Sequence, residues 1–192
     1  MSEIIYSREL KFGQFKIYDQ VPQFKCLHVH QVHSKDIVTI DELEKKADGI
    51  LFDNGNKEPI AIKTADCMPI VLYGENKSIF LHAGWAGLAK GILSTKEVKS
   101  IKPQYAFIGP SIHVCHFEVT SEFRDNFPAS PHFLQKNDKL FFDLHREACD
   151  ILKKNFPNCI IEVDENCTHC DNKFNSYRRN KTSKRNWNIW TL

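Results

Sequence analysis

Residues 64–85 read TADCMPIVLYGENKSIFLHAGW, and this stretch decides the predicted fold. Two short apolar runs lie within it, from Met68 to Tyr73 and from Ser78 to Leu81. Their length and their content of Ile, Val, Phe and Leu are typical of strands that are buried on one or both faces. The chain then passes through His82-Ala83-Gly84-Trp85, where a strand is expected to turn into a helix. The stretch therefore predicts part of a sheet with a helix after it.

Similar apolar runs on both sides of this stretch extend the predicted sheet. Further strands are expected at Phe24 to His30, Gly49 to Phe52, Ile60 to Lys63, Tyr105 to Ile108 and Cys159 to Val163. Many strands with a few helices between them predict an α+β (mixed α/β) fold. We expect a single domain over residues 1–192, with a mixed β-sheet core flanked by a few helices.

Three helices are predicted between these strands. The first follows Trp85 and places Leu88, Ile92 and Val98 on one face. The second begins at an N-cap, Thr120 or Ser121, and runs through Phe123 and Phe127 to a stop at Pro128. The third begins at Asp143, ends near Pro157, and aligns Leu144, Ala148, Ile151 and Leu152 on one face.

The composition excludes several classes of protein. The 192 residues are 42% hydrophobic and 26% charged, as in soluble globular proteins, and no apolar run approaches the roughly 20 residues of a membrane span. The net charge is only +2, so the overall charge of the protein does not attract it to nucleic acid. The first residues, MSEIIYSRELKFG, do not resemble a signal peptide. We therefore expect a cytoplasmic protein that binds neither nucleic acid nor membrane; its oligomeric state is not predicted.

Three metal-capable side chains stand beside predicted strand ends, where α/β scaffolds present their loops to ligands. They are His33, Cys67 and His82. Two imidazoles and one thiolate suit zinc and leave a fourth position open, as in catalytic rather than structural sites. Such an ion lowers the pKa of bound water or polarises a substrate oxygen. Their spacing matches no zinc finger. Taken singly, each residue also fits a purely structural role, as a small buried cysteine or a hydrogen-bonded histidine.

Other patterns give weaker signals. Cys26, His28 and His30 alternate along a presumed strand, and a half-buried strand is favoured there over a metal cluster. The seven cysteines have unequal spacings, which favours reduced thiols, and the single CxxC at Cys167 to Cys170 is weak evidence for any site. Gly109-Pro110-Ser111-Ile112 is either an anion-binding turn or a plain turn. The basic segment 173–185 is either a solvated surface or a phosphate site, with the surface favoured.

Several segments, taken together and in order, resemble one family. They are QVH, ADG (Ala47 to Gly49), TADCMPI, HAGWAG, IGPSI, the pair Cys167-Thr168, and NSYRRN. This combination resembles the laccase-domain, or polyphenol-oxidase-like, family of purine nucleoside phosphorylases. The resemblance runs from about Gln31 to Arg179.

The resemblance implies that His33, Cys67 and His82 bind zinc, with copper a less favoured metal. It implies purine nucleosides and phosphate as substrates: phosphorolysis of adenosine, inosine and methylthioadenosine, together with metal-dependent deamination of adenosine. For deamination, Asp66 is the candidate proton carrier at the purine C6, although a role in orienting a ligand is at least equally favoured. Arg178 and Ser111 are the candidate phosphate contacts.

This sequence departs from the family pattern in two places. Ala86 stands where the family usually has the arginine of HAGWRG, and an arginine fork is suited to holding phosphate. Arg178, Arg179, Lys90 and Lys63 are the residues that would compensate. Residues 1–25 lack the glycine-rich, asparagine-containing segment that commonly precedes the family core, so part of the nucleoside pocket is expected to be missing or rebuilt.

Two other classes of function remain open from the sequence. In a cysteine hydrolase, Cys67 would be the nucleophile and His82 its base, assisted by Asp66 or Gln31. Alternatively, the chain is a non-catalytic metal-binding domain. True laccase chemistry is not expected, because a multicopper oxidase needs about ten histidines in several copper centres and this chain has nine in all.

Overall fold

The structure is a computed structural model that describes residues 2–192. Over this range the strands, β1 to β13 in chain order, are Ile4–Glu9, Gln14–Tyr18, Ile37–Thr39, Gly49–Asp53, Ile60–Thr64, Met68–Tyr73, Lys77–Ala83, Tyr105–Ile108, Glu118–Val119, Phe133–Lys136, Lys139–Phe142, Ile160–Val163 and Asn186–Thr191. The α-helices, α1 to α4, are Trp85–Ala89, Lys96–Ile101, Leu144–Asn155 and Tyr177–Asn180, and short 3-10 helices span Ile40–Glu42, Ile92–Ser94 and Ser121–Asn126. The architecture is α+β, as the sequence predicts.

The strands form three sheets. The largest has the order β12-β8-β6-β7-β4-β3 and is mixed, because β12 and β8 are parallel, β3 and β4 are parallel, and the remaining neighbours are antiparallel. A four-stranded antiparallel sheet has the order β1-β2-β13-β5, and a small sheet has the order β10-β11-β9. The stretch 64–85 thus supplies the two central strands of the main sheet.

Apolar side chains alternate along β6 and β7 between the two faces of the main sheet. Ile70 and Leu72 belong to one hydrophobic cluster, which includes buried residues of α1, α2 and α3. Val71 and Phe80 belong to a second cluster, where Phe80 meets Trp190 of β13 edge to face. The main sheet is therefore covered on one face by helices and on the other by the four-stranded sheet. Burial on both faces explains why β6 is continuously hydrophobic.

The turn between β6 and β7 depends on Gly74. Its N–H donates to the carbonyl of Lys77 (3.0 Å). A Cβ at this position would lie 2.2 Å from the carbonyl oxygen of Ile101. Glycine is therefore required here by the close approach of another backbone segment.

Most predicted strands of the main sheet are confirmed, but the prediction for Phe24 to His30 is wrong. This segment makes only isolated bridges, from Leu27 to Ile60 and from His30 to Lys46. The ladder stops because the side-chain amide of Gln31 takes the place of a backbone partner for β5. It donates to the carbonyl of Lys63 (2.7 Å) and accepts from the N–H of Lys63 (2.8 Å).

The helix predictions have three different outcomes. The helix after Asp143 is confirmed as α3, and the Asp143 carboxylate caps it by accepting from the N–H of Arg146. The helix after Trp85 is broken, because Gly91 has a left-handed φ of 84° and Thr95 caps a new helix. The segment after Thr120 is a 3-10 helix without a side-chain cap. In residues 2–192, no helix has both the length and the apolar character that crossing a membrane requires.

Candidate metal centre and cavity

Three loop or strand-end positions bring His33, Cys67 and His82 together. His82 lies near the end of β7, Cys67 lies in the turn between β5 and β6, and His33 lies in the loop before β3. The Nδ1 or Nε2 atoms of the histidines and the Sγ atom of the cysteine lie within 4.8 Å of one another. The Cys67 Sγ to His33 Nε2 distance is 4.0 Å, and two such ligands of one tetrahedral zinc span about 3.6 Å. The three side chains predicted from the sequence therefore converge.

A buried carboxylate, Asp48, organises this group and was given no role from the sequence. Its side chain is fully buried. One oxygen, Oδ1, accepts from the backbone N–H of His33 (3.0 Å) and lies 2.7 Å from Nδ1 of His82. The other, Oδ2, accepts from the N–H groups of Val32 (3.2 Å) and Ser34 (2.6 Å) and from the Ser34 hydroxyl (2.9 Å). The ADG segment at residues 47–49 is the sequence signal that could have found it.

The contacts of Asp48 fix which nitrogen of His82 is available. A carboxylate bound to Nδ1 keeps the proton there and leaves Nε2 as the ligand atom, which is the usual arrangement around metal-binding histidines. The same carboxylate holds the loop of His33, whose backbone φ is 58°, in the sparsely populated left-handed region. Asp48 thus orients two of the three converging side chains.

Space at the centre is kept open by Gly84. A Cβ at this position would lie 2.8 Å from Sγ of Cys67 and 3.3 Å from Cδ2 of His33. A side chain here would push against both groups. The rings of His33 and His82 meet edge to face, with centroids 4.7 Å apart. The donor set, the open centre and the oriented His82 all fit a metal ion with a free coordination position.

The protonation states of Cys67 and His82 are coupled. Burial, the largest single influence, favours the neutral thiol, but attraction to His82 and the hydrogen bond with His33 outweigh it and lower the pKa of Cys67 to about 6. Burial likewise opposes the charged imidazole, yet the Cys67 thiolate and Asp48 raise the pKa of His82 to about 9. Burial also opposes ionisation of Asp48, but bonds from His82 and Ser34 lower its pKa to about 2. Near neutral pH the pair is a thiolate and an imidazolium.

These groups open onto a cavity of about 740 Å³, within the size range of small-molecule sites. Its wall is partly aromatic, with Trp85, Phe117 and Tyr177. It is also basic: the lining includes Lys63, Arg178, Lys181 and Arg185. The cavity thus combines a metal-capable end with flat apolar surfaces and cations suited to an anion.

The basic segment 173–185 contributes to this cavity and is not only a solvated surface. Arg178 is half-buried, its Nη1 donates to the carbonyl of Glu118 (2.5 Å), and its guanidinium lies 5.1 Å from the ring centre of Phe117. Arg179 is engaged elsewhere, because its guanidinium donates to the carbonyls of Thr168, His169 and Phe174. Arg178 therefore lines the cavity, whereas Arg179 holds loops together.

Two other candidates for anion contact already make hydrogen bonds within the protein. Ser111 is fully buried; its hydroxyl donates to the carbonyl of Gly109 (3.1 Å) and pairs with Nε2 of His145 (2.8 Å). Its assignment as a phosphate contact is therefore not retained. Lys90 donates to the carbonyl of His33 (3.0 Å) and so supports the metal-capable group.

Asp66 also lines the cavity, but both of its carboxylate oxygens accept hydrogen bonds. The Thr168 hydroxyl donates to Oδ1 (2.8 Å), and the N–H of Arg178 donates to Oδ2 (2.6 Å). Its backbone φ of 91° is held in the left-handed region. This geometry favours the orienting role over the proton-carrier role, since Asp66 fixes the turn that carries Cys67.

The fold and the site together define an α+β protein in which a group of two histidines and one cysteine opens onto a basic, aromatic cavity. The chain belongs to the family whose model is described as multi-copper polyphenol oxidoreductase laccase, which matches residues 15–191.

Similar proteins carry a more specific name. The chain is 37% identical over 163 residues to a purine nucleoside phosphorylase of Aquifex aeolicus, covering 81% of this chain and 77% of that protein. It is 32% identical over 178 residues to purine nucleoside phosphorylase YfiH of Escherichia coli K12, covering 84% and 71%. Among solved structures, a Neisseria meningitidis protein superimposes with a TM-score of 0.77 at 28% identity, covering 87% and 74%. YlmD of Geobacillus stearothermophilus gives a TM-score of 0.72 at 27% identity, covering 86% and 72%.

Proposed function

We propose that this chain is a zinc-dependent purine nucleoside phosphorylase acting on adenosine, inosine and methylthioadenosine. The observation that carries the proposal is the convergence of His33, Cys67 and His82 at one end of a basic, aromatic cavity. The names of its relatives support the same activity. In this reaction a phosphate oxygen bonds to the ribose C1′ as the C1′–N9 bond breaks. The purine leaves with the bonding electrons and takes up a proton, which yields the free base and the sugar 1-phosphate.

In this proposal His33, Cys67 and His82 hold the zinc ion. When bound, zinc supplies Lewis acidity, which polarises a substrate oxygen or lowers the pKa of water. The chain's own contribution is orientation. Asp48 keeps the proton of His82 on Nδ1, and Gly84 leaves room beside Cys67. Because the lowered pKa of Cys67 already favours its thiolate near neutral pH, Cys67 need not lose a proton when the ion binds, whereas the imidazolium of His82 must.

The remaining wall of the cavity is assigned to the nucleoside and the phosphate. Trp85 and Tyr177, 40% and 51% exposed, offer flat faces on which a purine can stack. Arg178 is the proposed main contact of phosphate, with Lys63 beside it in the lining. These cations take over the task of the arginine that Ala86 replaces. Placing phosphate against C1′ is most of what catalysis requires here.

Deamination of adenosine to inosine is a second activity of the proposed site. It requires water at the purine C6 and a group that carries a proton. Asp66 would have to give up its bond from Thr168 or from the backbone of Arg178 to do so. We therefore assign Asp66 a positioning role and expect deamination to be the slower of the two reactions.

One observation favours a different class, a cysteine hydrolase. Asp48, His82 and Cys67 form a chain of carboxylate, imidazole and thiolate, which is the order found in nucleophilic cysteine sites. His33 argues against this reading, because a third ligand beside the thiolate serves a metal and is superfluous for a nucleophile. Inactivation by a chelator supports the metal enzyme. Stoichiometric alkylation of Cys67 in active, metal-free protein supports the hydrolase.

The test is a comparison of Cys67→Ala with Cys26→Ala, a matched change at a half-buried cysteine outside the site. Zinc content and the phosphate-dependent release of adenine from adenosine are measured on each protein. Cys67→Ala should lose the zinc ion of the cavity group and the release of adenine, and Cys26→Ala should lose neither. Full turnover and an unchanged zinc content in Cys67→Ala contradict the proposal. Tight zinc binding with no turnover on any purine nucleoside supports a non-catalytic metal-binding domain instead.

A further inference from the structure

A second group of metal-capable side chains lies outside the cavity group. Among the described residues, two groups bring three or more ligand atoms within 4.8 Å of one another, and the second consists of Cys115, His116, Cys167 and Cys170. The phosphorylase proposal makes no use of these four residues. From the sequence, Cys167 and Cys170 gave only a weak CxxC signal, and Cys115 and His116 gave none.

The topology explains why these distant residues meet. Strands β8 and β12 are parallel neighbours, so the loops that follow them leave the same edge of the main sheet. Cys115 and His116 lie in the loop after β8, and Cys167 and Cys170 lie in the loop after β12. A bridge between Ser111 and Cys167 joins the two loops close to the group.

Two sulfur-to-sulfur distances within the group match those around one tetrahedral zinc ion, and the His116 nitrogen lies closer to its two sulfurs than in such a site. Two thiolates bound to such an ion at about 2.3 Å lie about 3.8 Å apart, and a thiolate and an imidazole nitrogen lie about 3.6 Å apart. Here Sγ of Cys115 lies 3.8 Å from that of Cys167 and 3.7 Å from that of Cys170. Nδ1 of His116 lies 3.2 Å from the sulfurs of both Cys115 and Cys170.

The surrounding backbone is arranged for bound thiolates. The N–H of His113 points at Sγ of Cys167 (3.4 Å), a charge-assisted bond when that sulfur is ionised. The N–H groups of Cys170 and Asp171 both donate to the carbonyl of Cys167 and close the CxxC turn. Arg178 lines the same depression as Cys115 and His116, and its charge offsets part of the negative charge of three thiolates around one divalent ion. Lys139 lies there too but is already paired with Glu118 (2.8 Å).

We propose that Cys115, His116, Cys167 and Cys170 form a second, structural zinc site. Three cysteines and one histidine fill all four positions of a tetrahedral ion, which is the composition of a closed site rather than a catalytic one. The ion would clamp the loops after β8 and β12 together. Thr168, next to Cys167, donates to Asp66 in the turn of Cys67, so the clamp also supports the cavity group.

The test is a metal analysis of the full chain, purified anaerobically with reductant and loaded with zinc. Wild type should hold two zinc ions per chain. Cys170→Ser and Cys67→Ser should each hold one, and Cys149→Ser, a change at a half-buried cysteine outside both groups, should hold two. Two zinc ions in Cys170→Ser, or a single zinc ion in wild type that Cys67→Ser loses, overturns the proposal.

Cobalt in place of zinc tells the two sites apart without reference to activity. The sulfur-to-cobalt absorption of wild type comes from four thiolates, three in the second site and one in the first. It should therefore fall by about three quarters in Cys170→Ser and by about one quarter in Cys67→Ser. A disulfide among Cys115, Cys167 and Cys170 in the anaerobic wild-type protein overturns the proposal and indicates a redox role. Because the wild-type stoichiometry needs no variant, the test stands even if Cys170→Ser fails to fold.

Discussion

Replacing Asp48 by Asn tests how this buried carboxylate controls the cavity group. The change keeps the shape of the side chain but gives it one acceptor and one NH₂ group. An NH₂ group in place of Oδ2 would face three donors, from Val32 and Ser34. In place of Oδ1 it faces two, the N–H of His33 and Nδ1 of His82. The second orientation is therefore the less costly, and it makes Nδ1 of His82 an acceptor.

Two consequences follow for the Asp48→Asn variant. The proton of His82 moves to Nε2, the nitrogen that the metal needs, so zinc affinity should fall about 10–100-fold. The buried N–H of His33 loses its partner at about 1–3 kcal/mol, and losing the charge paired with His82 brings the total loss of stability to about 3–5 kcal/mol. Both changes arise from replacing one charged carboxylate by a neutral amide in a fully buried position.

The assays are zinc competition against a chelating dye, urea unfolding, and nitrogen NMR of the His82 ring to identify its tautomer. Ser34→Ala is the matched control, because it removes one bond to Oδ2 and leaves the contact with His82 intact. It should cost about 1.5 kcal/mol of stability and leave zinc affinity unchanged. A folded Asp48→Asn protein that binds zinc within about twofold of wild type would refute the reasoning.

Three further changes have equally definite outcomes. Gly84→Ala should lower zinc affinity at least about tenfold, since its Cβ would lie 2.8 Å from Sγ of Cys67. Gly55 has open space around it, so Gly55→Ala should bind zinc normally in the same dye competition. Arg178→Gln should raise the KM for phosphate about 10–100-fold in steady-state kinetics, because it removes one charged contact of about 1.5–3 kcal/mol. The KM for the nucleoside should change little. An unchanged KM for phosphate would remove Arg178 from the anion site. Burial, aided by His113, lowers the pKa of His145 to about 3, so the folded protein keeps this ring neutral at pH values where the unfolded chain protonates it. The stability that the neutral ring contributes is therefore present above pH about 6.5. It is lost as the pH falls toward 3, by up to about 1.4 kcal/mol per pH unit. Urea unfolding of His145→Gln should show a shallower loss over this pH range, and an identical slope would contradict the assignment.

The sequence predicts the main sheet well because its central strands are recognisable from their own apolar residues. Met68 to Tyr73 is apolar throughout since both faces of β6 are buried, and such a run needs no partner to be recognised. Strands β1, β2 and β13 were not found, since polar residues interrupt each of them and their pairing joins the two ends of the chain. That long-range pairing leaves no local pattern in either segment.

The candidate metal centre could be predicted in part. His33, Cys67 and His82 were found because each is a metal-capable residue beside a strand end. Asp48 was missed because its role depends on distance in space: it lies 34 residues before His82 and within 2.7 Å of it. An acidic residue between Ala47 and Gly49 has many ordinary explanations until the burial of its side chain is known.

The role of the basic segment 173–185 likewise depends on its environment in the folded protein. Charge alone favoured a solvated surface for residues 173–185, but Arg178, Lys181 and Arg185 line the cavity. Conversely, Ser111 follows a strand in a turn suited to anions, yet it lies beneath the surface against His145. Whether a side chain faces a cavity or the core depends on tertiary packing, which the local sequence does not specify.

The proposed phosphorylase activity is tested by a product analysis of zinc-loaded protein given adenosine with and without phosphate. A phosphorylase should release adenine together with ribose 1-phosphate when phosphate is present, and no adenine when it is left out. Inosine formed regardless of phosphate would be the deamination product. Protein that holds zinc at His33, Cys67 and His82 but releases no adenine with phosphate would contradict the account.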